Sequence, residues 1–397
     1  MNPRITDKEY MYVKEVLEQG FRTSYNGTMN KRLEAAFAEK FGAKYAISFC
    51  NGTATMHIAL EAAGIGAGDE VIVPPLTMSS TTLAVLHAGA VPVYADVDPD
   101  TYQISAESIE KVITPRTKAI IPVALLGLSP DFDAINAIAK KHNLVVIEDD
   151  AECFLGKYKG KLVGTLGDMA SFSFQASKHL TAGEGGMVIT DNEEYAEKLR
   201  RYSGLGYASI GAKKGRIQKS DIQNPDYFRH ASMGWNYRIS DLCAAVALGQ
   251  LEHLDELVAS RTESAEAHAE VLKQAKWFTP QLTPDDCVNS YWGYAGKIND
   301  DSIKWKDVYD KYTEFGGPGF YAAWKLSYQE PFLQQMTLMG RENYMPLMKD
   351  MTFPTEGLCP NAEALQPRLM LFKTNYFDRD ELNRDLEALD KTIRYFK

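Results

Sequence analysis

The sequence contains few cysteines, and these are scattered along the chain. The five are Cys50, Cys153, Cys243, Cys287 and Cys359, and no pair of them has the CxxC spacing of a zinc or redox site. An odd number of widely separated thiols also argues against a disulfide framework. We therefore expect reduced cysteines and no structural metal.

Long apolar runs and an excess of positive charge are missing too. No run approaches the roughly 18 residues that a membrane span needs, and residues 1–8 contain no apolar segment of a secretion signal. The 53 Asp and Glu residues outnumber the 43 Lys and Arg residues, giving a formal net charge of −10. Such a charge disfavours non-specific binding to nucleic acid or anionic membranes. We expect a cytoplasmic protein with neither kind of partner.

What the sequence does contain is a repeated alternation of strand and helix patterns. Short apolar runs rich in β-branched residues are each followed by a helical pattern, which predicts an α/β fold with a mostly parallel, seven-stranded sheet covered on both faces. The predicted strands are Tyr45–Phe49, Glu70–Val73, Val91–Val97, Ala119–Leu125, Leu144–Ile147, Met169–Phe174 and Met187–Thr190.

A length of 397 residues favours two domains. Beyond about residue 195 the alternation stops, and the strongest later patterns are a helix over Arg238–Ser260 and an amphipathic helix from Asp378 to Tyr395. We place a large domain at residues 1–245, with a helical segment at 1–41, and a smaller α/β domain at 246–397.

The most informative residue is Lys178. It lies between a predicted strand and the glycine cluster Gly183-Glu-Gly-Gly186, on a short, stiff connection. A free lysine, with a pKa of about 10.4, is almost wholly protonated at neutral pH. A fixed and partly desolvated amine can be neutral and nucleophilic, so Lys178 is a candidate Schiff-base lysine. The adjacent His179 is a weaker candidate for contact with a cofactor or substrate.

Three acidic residues, Glu148, Asp149 and Asp150, follow the predicted strand Leu144–Ile147. Carboxylates at such a position are costly unless they meet a cation or hydrogen-bond donors. One interpretation is that Asp149 or Asp150 caps a helix. The other, given Lys178 in the same sheet, is a partner for the protonated ring nitrogen of pyridoxal phosphate.

Candidate anion-binding groups occur in three places. Asn51-Gly52-Thr53 opens a helix after a strand, where free backbone N–H groups bind phosphate, although an ordinary capped turn has the same sequence. The hydroxyls of Ser173 and Ser177 flank the turn that leads to Lys178. The basic residues between Lys213 and Lys219 form either a solvated loop or a grip on a substrate diphosphate.

In the order and spacing of its motifs the chain resembles the DegT/DnrJ/EryC1/StrS family of sugar aminotransferases, which are fold-type I pyridoxal-phosphate enzymes. The resemblance covers nearly the whole chain. Its motifs are Asn51-Gly-Thr-Ala-Thr, Asp69-Glu-Val-Ile-Val-Pro-Pro, Ile147-Glu-Asp-Asp-Ala-Glu, Ser171-Phe-Ser-Phe with Lys178 and Gly183-Glu-Gly-Gly, Asn236-Tyr-Arg-Ile-Ser-Asp and Cys359-Pro-Asn-Ala-Glu.

The resemblance implies a role for each of these residues. Lys178 would form the Schiff base with pyridoxal 5'-phosphate, and Asp149 would pair with its ring nitrogen, which makes both catalytic. Glu152 would face the phenolic oxygen of the ring. The implied phosphate contacts are Gly52, Thr53 and Ser173.

The resemblance also implies a homodimer with shared active sites, because Asn236 would reach the phosphate of the partner subunit. Three departures from the family pattern stand out. Met78 occupies the position of an aromatic residue that stacks on the cofactor ring, and a thioether can pack there as well. The segments Gly316–Trp324 and Leu371–Asn375 also depart from it, which suggests a subgroup with its own substrate.

The implied reaction moves an amino group from an amino acid, L-glutamate, to a nucleotide-linked keto-sugar through pyridoxamine 5'-phosphate, for aminosugar and surface polysaccharide or lipopolysaccharide biosynthesis. One alternative is a keto-inositol or small keto-phosphate substrate on the same machinery. A pyridoxamine-dependent sugar dehydratase is disfavoured because such relatives carry histidine at the position of Lys178. A non-catalytic binding module is disfavoured by the intact lysine, aspartate and phosphate turn.

Overall fold

The structure is a computed structural model that describes residues 4–20, 28–213, 220, 223–335, 348 and 351–397. Its helices are α1 (Asp7–Glu18), α2 (Met29–Phe41), α3 (Gly52–Ala62), α4 (Ser80–His87), α5 (Ala106–Val112), α6 (Phe132–His142), α7 (Glu193–Ser203), α8 (Asp241–Glu252), α9 (Leu254–Leu272), α10 (Trp305–Glu314), α11 (Pro331–Gln334), α12 (Pro360–Leu365) and α13 (Arg379–Tyr395). Its strands are β1 (Tyr45–Phe49), β2 (Glu70–Val73), β3 (Val91–Tyr94), β4 (Thr117–Ile120), β5 (Val145–Asp149), β6 (Lys157–Tyr158), β7 (Lys161–Leu162), β8 (Met169–Ser173), β9 (Gly186–Thr190), β10 (Phe278–Pro280), β11 (Cys287–Val288), β12 (Gly293–Ile298) and β13 (Leu369–Lys373).

The main sheet has seven strands in the order β1-β9-β8-β5-β4-β2-β3. Strands β8, β5, β4, β2 and β3 pair in parallel, whereas β9 is antiparallel to both of its neighbours, β1 and β8. The predicted α/β fold with a mostly parallel sheet is therefore confirmed. Because all strands except β9 run in one direction, their carboxyl ends meet along a single edge, where ligands bind in such sheets.

Both faces of this sheet are buried, as the alternation along β2 shows. Val71 and Val73 pack in the core formed with α3 and α4, whereas Ile72 between them packs with Phe132 and Ile135 of α6 on the opposite face. Successive side chains of a strand point to opposite faces, so the apolar run Val71–Val73 needs helices on both. A further core, under α1, α2 and α8, covers the β1, β8 and β9 side.

A second sheet lies in the C-terminal part of the chain. Strands β10, β12 and β13 form an antiparallel sheet in that order, and α9, α10 and α13 pack on it through Leu272, Tyr312 and Leu389. Strands β11, β6 and β7 form a small third sheet. The division of the chain into domains at residue 245 stays a prediction.

Strand β5 ends at Asp149, two residues later than predicted, so Glu148 and Asp149 lie within it. Three predicted elements differ by more than two residues at an end. The single helix over Arg238–Ser260 is two helices, because α8 ends at Glu252 and His253, with φ −125° and ψ 26°, breaks the helical path before α9. Strand β4 ends at Ile120, before Pro122, which has no N–H for the ladder. Strand β3 ends at Tyr94 instead of Val97. Among the described helices, none is long and apolar enough to span a membrane.

Candidate active site

A cavity of about 1140 Å³ opens at the carboxyl ends of the parallel strands. One side of it is built by the main sheet and the other by the C-terminal sheet. Seven of the eight cofactor contacts predicted from the sequence line it, namely Gly52, Thr53, Met78, Asp149, Glu152, Ser173 and Lys178.

Lys178 projects into this cavity from the turn that follows β8. Its backbone N–H donates to the carbonyl of Gln175 at 3.0 Å, and its side chain is only 12% exposed. The Nζ atom lies 3.0 Å from Oε1 of Glu152 and 4.7 Å from the ring centroid of Trp292. The amine is thus held between a carboxylate and an aromatic face, on backbone that the turn fixes.

Two buried arginines, which no sequence motif indicates, hold the turn of Lys178. Arg4 donates to the carbonyls of Ala176 at 2.7 Å and of Lys178. Arg261 donates to the carbonyls of Ser177 at 2.7 Å and of Lys178 at 3.2 Å. Burial lowers the pKa of both guanidiniums. These contacts join residues far apart in sequence, so no local pattern predicts them.

Asp149 ends β5 and is the one of the three consecutive acids that lines the cavity. It is 3% exposed, and its carboxylate accepts from neutral donors, Thr81 Oγ1 at 2.9 Å and the backbone N–H of Ala151 at 3.3 Å. Burial raises its pKa to about 6, against the opposing effects of these hydrogen bonds and of Lys178. A cationic ring nitrogen in the cavity would stabilise this charge.

The two neighbouring acids, Glu148 and Asp150, are not among the lining residues of the cavity. Glu148 accepts backbone hydrogen bonds from Gly164 at 2.7 Å and Gly167 at 2.5 Å. Asp150 is fully buried, and burial together with the charges of Glu148 and Asp149 raises its pKa well above the ordinary value. Residues 150–156, all described, form turns and bends instead of a helix. The alternative that Asp149 or Asp150 caps a helix is therefore wrong.

The N-terminus of α3 forms a cradle against β8. Asn51 caps the helix by accepting from the backbone N–H of Ala54 at 2.8 Å, as an ordinary capped turn would. Gly52 adds a second feature, because a Cβ there would lie 2.9 Å from Cβ and 3.2 Å from Oγ of Ser173. The helix end and the Ser173 hydroxyl thus converge on the cavity, an arrangement suited to a phosphate.

The remaining candidates lie in different places. Met78 lines the cavity and is 51% exposed. Asn236 is exposed and is absent from the described lining of its own subunit's cavity. His179 is buried away from it, with Nε2 at 2.9 Å from the carbonyl of Ser290. Lys213 pairs with Glu193 at 2.6 Å, and the rest of the basic cluster, residues 214–219, lies outside the described residues.

The amine of Lys178, the buried carboxylate of Asp149 and the start of α3 line one cavity, an arrangement that suits a phosphorylated, cationic ring. Comparison with known proteins agrees. The model of the DegT/DnrJ/EryC1/StrS aminotransferase family matches residues 3–352. The chain therefore belongs to this family and is a sugar aminotransferase. The family's aminotransferases depend on pyridoxal phosphate.

Two curated relatives and one solved structure illustrate the relationship. The chain is 38% identical over 298 residues to the spore coat polysaccharide biosynthesis protein SpsC of Bacillus subtilis (strain 168), covering 75% of each protein. It is 38% identical over 297 residues to the GDP-perosamine synthase of Escherichia coli O157:H7, covering 73% of this chain and 75% of that enzyme. An aminotransferase from Psychrobacter cryohalolentis superposes with a TM-score of 0.83 at 29% identity, covering 98% of both chains.

Proposed function

We propose that this chain binds pyridoxal 5'-phosphate in the cavity around Lys178 and transfers an amino group from L-glutamate to a nucleotide-linked keto-sugar. The observation that carries the proposal is the convergence of Lys178, Asp149 and the Gly52–Ser173 cradle on one cavity. When bound, the cofactor supplies an electron sink that makes the Cα–H of an amino acid acidic.

Asp149 would stabilise positive charge on the ring nitrogen. Its carboxylate is buried and its present hydrogen bonds come from neutral donors, so among the described residues no cation binds it directly and a cationic ring nitrogen would supply that contact. The donor hydroxyl of Thr81 fixes the direction in which the carboxylate faces. A charge held in this way acts throughout the reaction without reorganisation of the site.

Lys178 would hold the cofactor covalently and, once released, move a proton at the substrate carbon. Its Nζ is 3.0 Å from Glu152, a carboxylate that itself accepts from the backbone N–H of Leu126 at 3.1 Å. Glu152 therefore keeps the amine directed into the cavity. The position of His179 on the far side of the turn supports Lys178 as the proton carrier and weakens the dehydratase alternative.

Gly52, Thr53 and Ser173 would bind the phosphate through backbone N–H groups at the start of α3 and the serine hydroxyl. Met78 would pack on the ring from the loop before α4. The exposed Asn236 supports the proposed homodimer, because a residue that lies away from its own cavity is free to reach that of a partner subunit.

The name of the relative from E. coli O157:H7 specifies GDP, so a GDP-linked keto-sugar is the first substrate class to test. The name of the relative from Bacillus subtilis supports a role in surface polysaccharide biosynthesis. Both relationships extend over about three quarters of each protein.

The test separates the two halves of the reaction. Holoenzyme mixed with excess L-glutamate alone should release 2-oxoglutarate in an amount equal to its active sites, and a nucleotide-linked keto-sugar should then consume the stored amino group. Steady-state kinetics should give the parallel lines of a ping-pong mechanism. Converging lines, or no 2-oxoglutarate without an acceptor, would contradict the proposal.

A further inference from the structure

The wall of the cavity that faces the cofactor side comes from the C-terminal part of the chain. Three stretches supply it, namely Trp292 and Gly293, residues 321–324, and the end of β13 with Asn375. The family-model match ends at residue 352, so β13 lies beyond it. This wall is thus partly built from sequence outside the residues that the family model matches.

Two of these stretches are hydrogen-bonded to each other, although they are about 50 residues apart in sequence. The backbone N–H of Tyr321 donates to the carbonyl of Leu371, and the reverse bond also forms, both at 2.9 Å. At the other end, Ser327 N–H donates to the carbonyl of Pro75 at 3.0 Å. The segment is therefore fixed between β13 and the loop that carries Met78.

An aromatic pair lies next to the reactive amine on this wall. The ring of Trp292 is 4.7 Å from Lys178 Nζ, and the ring of Trp324 lies 6.0 Å from that of Trp292 at an interplanar angle of 25°. The reacting carbon of any substrate must approach Lys178, so the ring that carries this carbon passes these indoles. Flat aromatic faces pack well against the apolar C–H face of a sugar ring.

A lysine lies on the same wall, beside the aromatic pair. Lys373 pairs across β12 and β13 with Gly293, the neighbour of Trp292. Its Nζ binds Glu381 at 2.5 Å and lies 4.3 Å from the ring centroid of Tyr376. Glu381 is half exposed, and such ion pairs contribute little to stability, so a more highly charged anion can replace it.

The other cations among the described lining residues are already engaged. Lys178 serves the reaction, and Arg261 binds the carbonyls of Ser177 and Trp292. Lys373 is therefore the described lining cation best placed to meet a substrate's diphosphate.

We infer that Trp324 and Lys373 bind the sugar substrate of this enzyme, with the indole of Trp324 packing on the pyranose ring and the ammonium of Lys373 binding the diphosphate that links it to its nucleoside. The inference rests on the proposed amino transfer to a nucleotide-linked sugar. It assigns the binding of the sugar substrate to residues on the wall opposite the cofactor.

The first experiment changes Trp324 and uses the reverse reaction, in which GDP-perosamine, or a UDP- or TDP-linked amino sugar, donates its amino group to 2-oxoglutarate. The readout is kcat/KM for the amino sugar divided by kcat/KM for L-glutamate, which cancels a loss of folded enzyme. Trp324→Ala should lower this ratio by about tenfold, and Trp324→Phe, which keeps an aromatic face, by less than about threefold.

The second experiment changes Lys373 and has a closely matched control. Lys311 has the same side-chain exposure of 28%, pairs with Glu314 at 2.7 Å and lies 4.5 Å from the ring of Tyr395, but is remote from the cavity lining. Lys373→Ala should raise KM for the nucleotide-linked sugar by about tenfold and weaken competitive inhibition by inorganic pyrophosphate. Lys311→Ala should change neither.

The wild-type enzyme tests the proposed function, and the Trp324 and Lys373 variants test the inference. If wild type transfers amino groups from the nucleotide-linked sugar while Trp324→Ala keeps the ratio and Lys373→Ala keeps KM and the inhibition by pyrophosphate, the inference alone is overturned. If wild type uses L-glutamate but no nucleotide-linked sugar, both the acceptor class and the inference are overturned. Failure of the L-glutamate reaction itself overturns the proposed function.

Discussion

At the scale of single residues, the site contains ionisable side chains that the protein buries even without a ligand. For Asp149, burial makes the ionised form costly in free energy and raises its pKa to about 6 from an ordinary value of 3.8. Its motif is visible in the sequence because three acids at the end of an apolar strand are unusual. Arg4 and Arg261, in contrast, bind backbone carbonyls from distant parts of the chain, and nothing in their local sequence indicates this role.

The raised pKa of Asp149 predicts how the cofactor-free enzyme responds to pH. Between pH 3.8 and about 6 the folded state holds a proton that the unfolded chain has released, so this residue makes stability fall as pH rises through that window. Above it the cost is fully present, at about 2–3 kcal/mol. Cofactor-free Asp149→Asn should therefore unfold in urea with a free energy higher than that of wild type by about this amount near pH 7.5, and by almost nothing near pH 4.

Pyridoxal 5'-phosphate provides the control for this experiment. A cation beside Asp149 stabilises its charge, so the cofactor should stabilise wild type more than Asp149→Asn at the higher pH. A cofactor-free wild type that is more stable than the variant near pH 7.5 would show that the carboxylate of Asp149 is not strained by its burial.

At the scale of elements, the strands were the easiest features to predict. Buried strands of a parallel sheet are short runs of β-branched residues between turns, and β1 and β2 have the predicted bounds. The break at His253 was not predictable, because no proline or turn sequence marks it and the helical pattern continues through it. Its ring lies 2.8 Å from the carbonyl of Gly249, a local contact that only the folded helix brings about.

The approach of α3 to β8 leads to a prediction about Gly52. A methyl group there would lie 2.9 Å from Cβ of Ser173, so Gly52→Ala must push the helix end away from the strand. The Kd for pyridoxal 5'-phosphate should rise by about tenfold or more, whereas binding of pyridoxal, which lacks the phosphate, should change little.

Gly66→Ala serves as the matched control, because its nearest neighbour would be the carbonyl of Ala88 at an ordinary 3.5 Å. Equal affinities of wild type and Gly52→Ala for pyridoxal 5'-phosphate would mean that the start of α3 does not bind the phosphate.

At the scale of the whole molecule, the main sheet and the C-terminal sheet each supply one wall of the cavity. The sequence predicts the first wall in detail, because its residues follow strands in recognisable motifs. For the second wall, the resemblance singles out Gly316–Trp324 and Leu371–Asn375 as departures, but it does not place them together, since Trp292, Trp324 and Lys373 meet only through the pairing of β12, β13 and residue 321. That Asn236 reaches the active site of a partner subunit also concerns the whole molecule and stays a prediction.

Shared active sites predict complementation between two inactive variants. Lys178→Ala and Asn236→Ala should each be nearly inactive alone, but a mixed dimer contains one intact site, formed by Lys178 of one subunit and Asn236 of the other. After denaturation and refolding together, an equal mixture should recover about a quarter of wild-type activity. Activity that never exceeds the sum of the separate variants would place Asn236 outside the partner's site.

The central claim is that Lys178 is the residue that binds the cofactor covalently. The most direct measurement is reduction of the holoenzyme with borohydride, followed by peptide mass spectrometry. We expect one cofactor mass on the peptide that contains Lys178, and neither this adduct nor glutamate-dependent amino transfer in Lys178→Ala. A cofactor mass on a different lysine, or an active Lys178→Ala enzyme, would contradict the account.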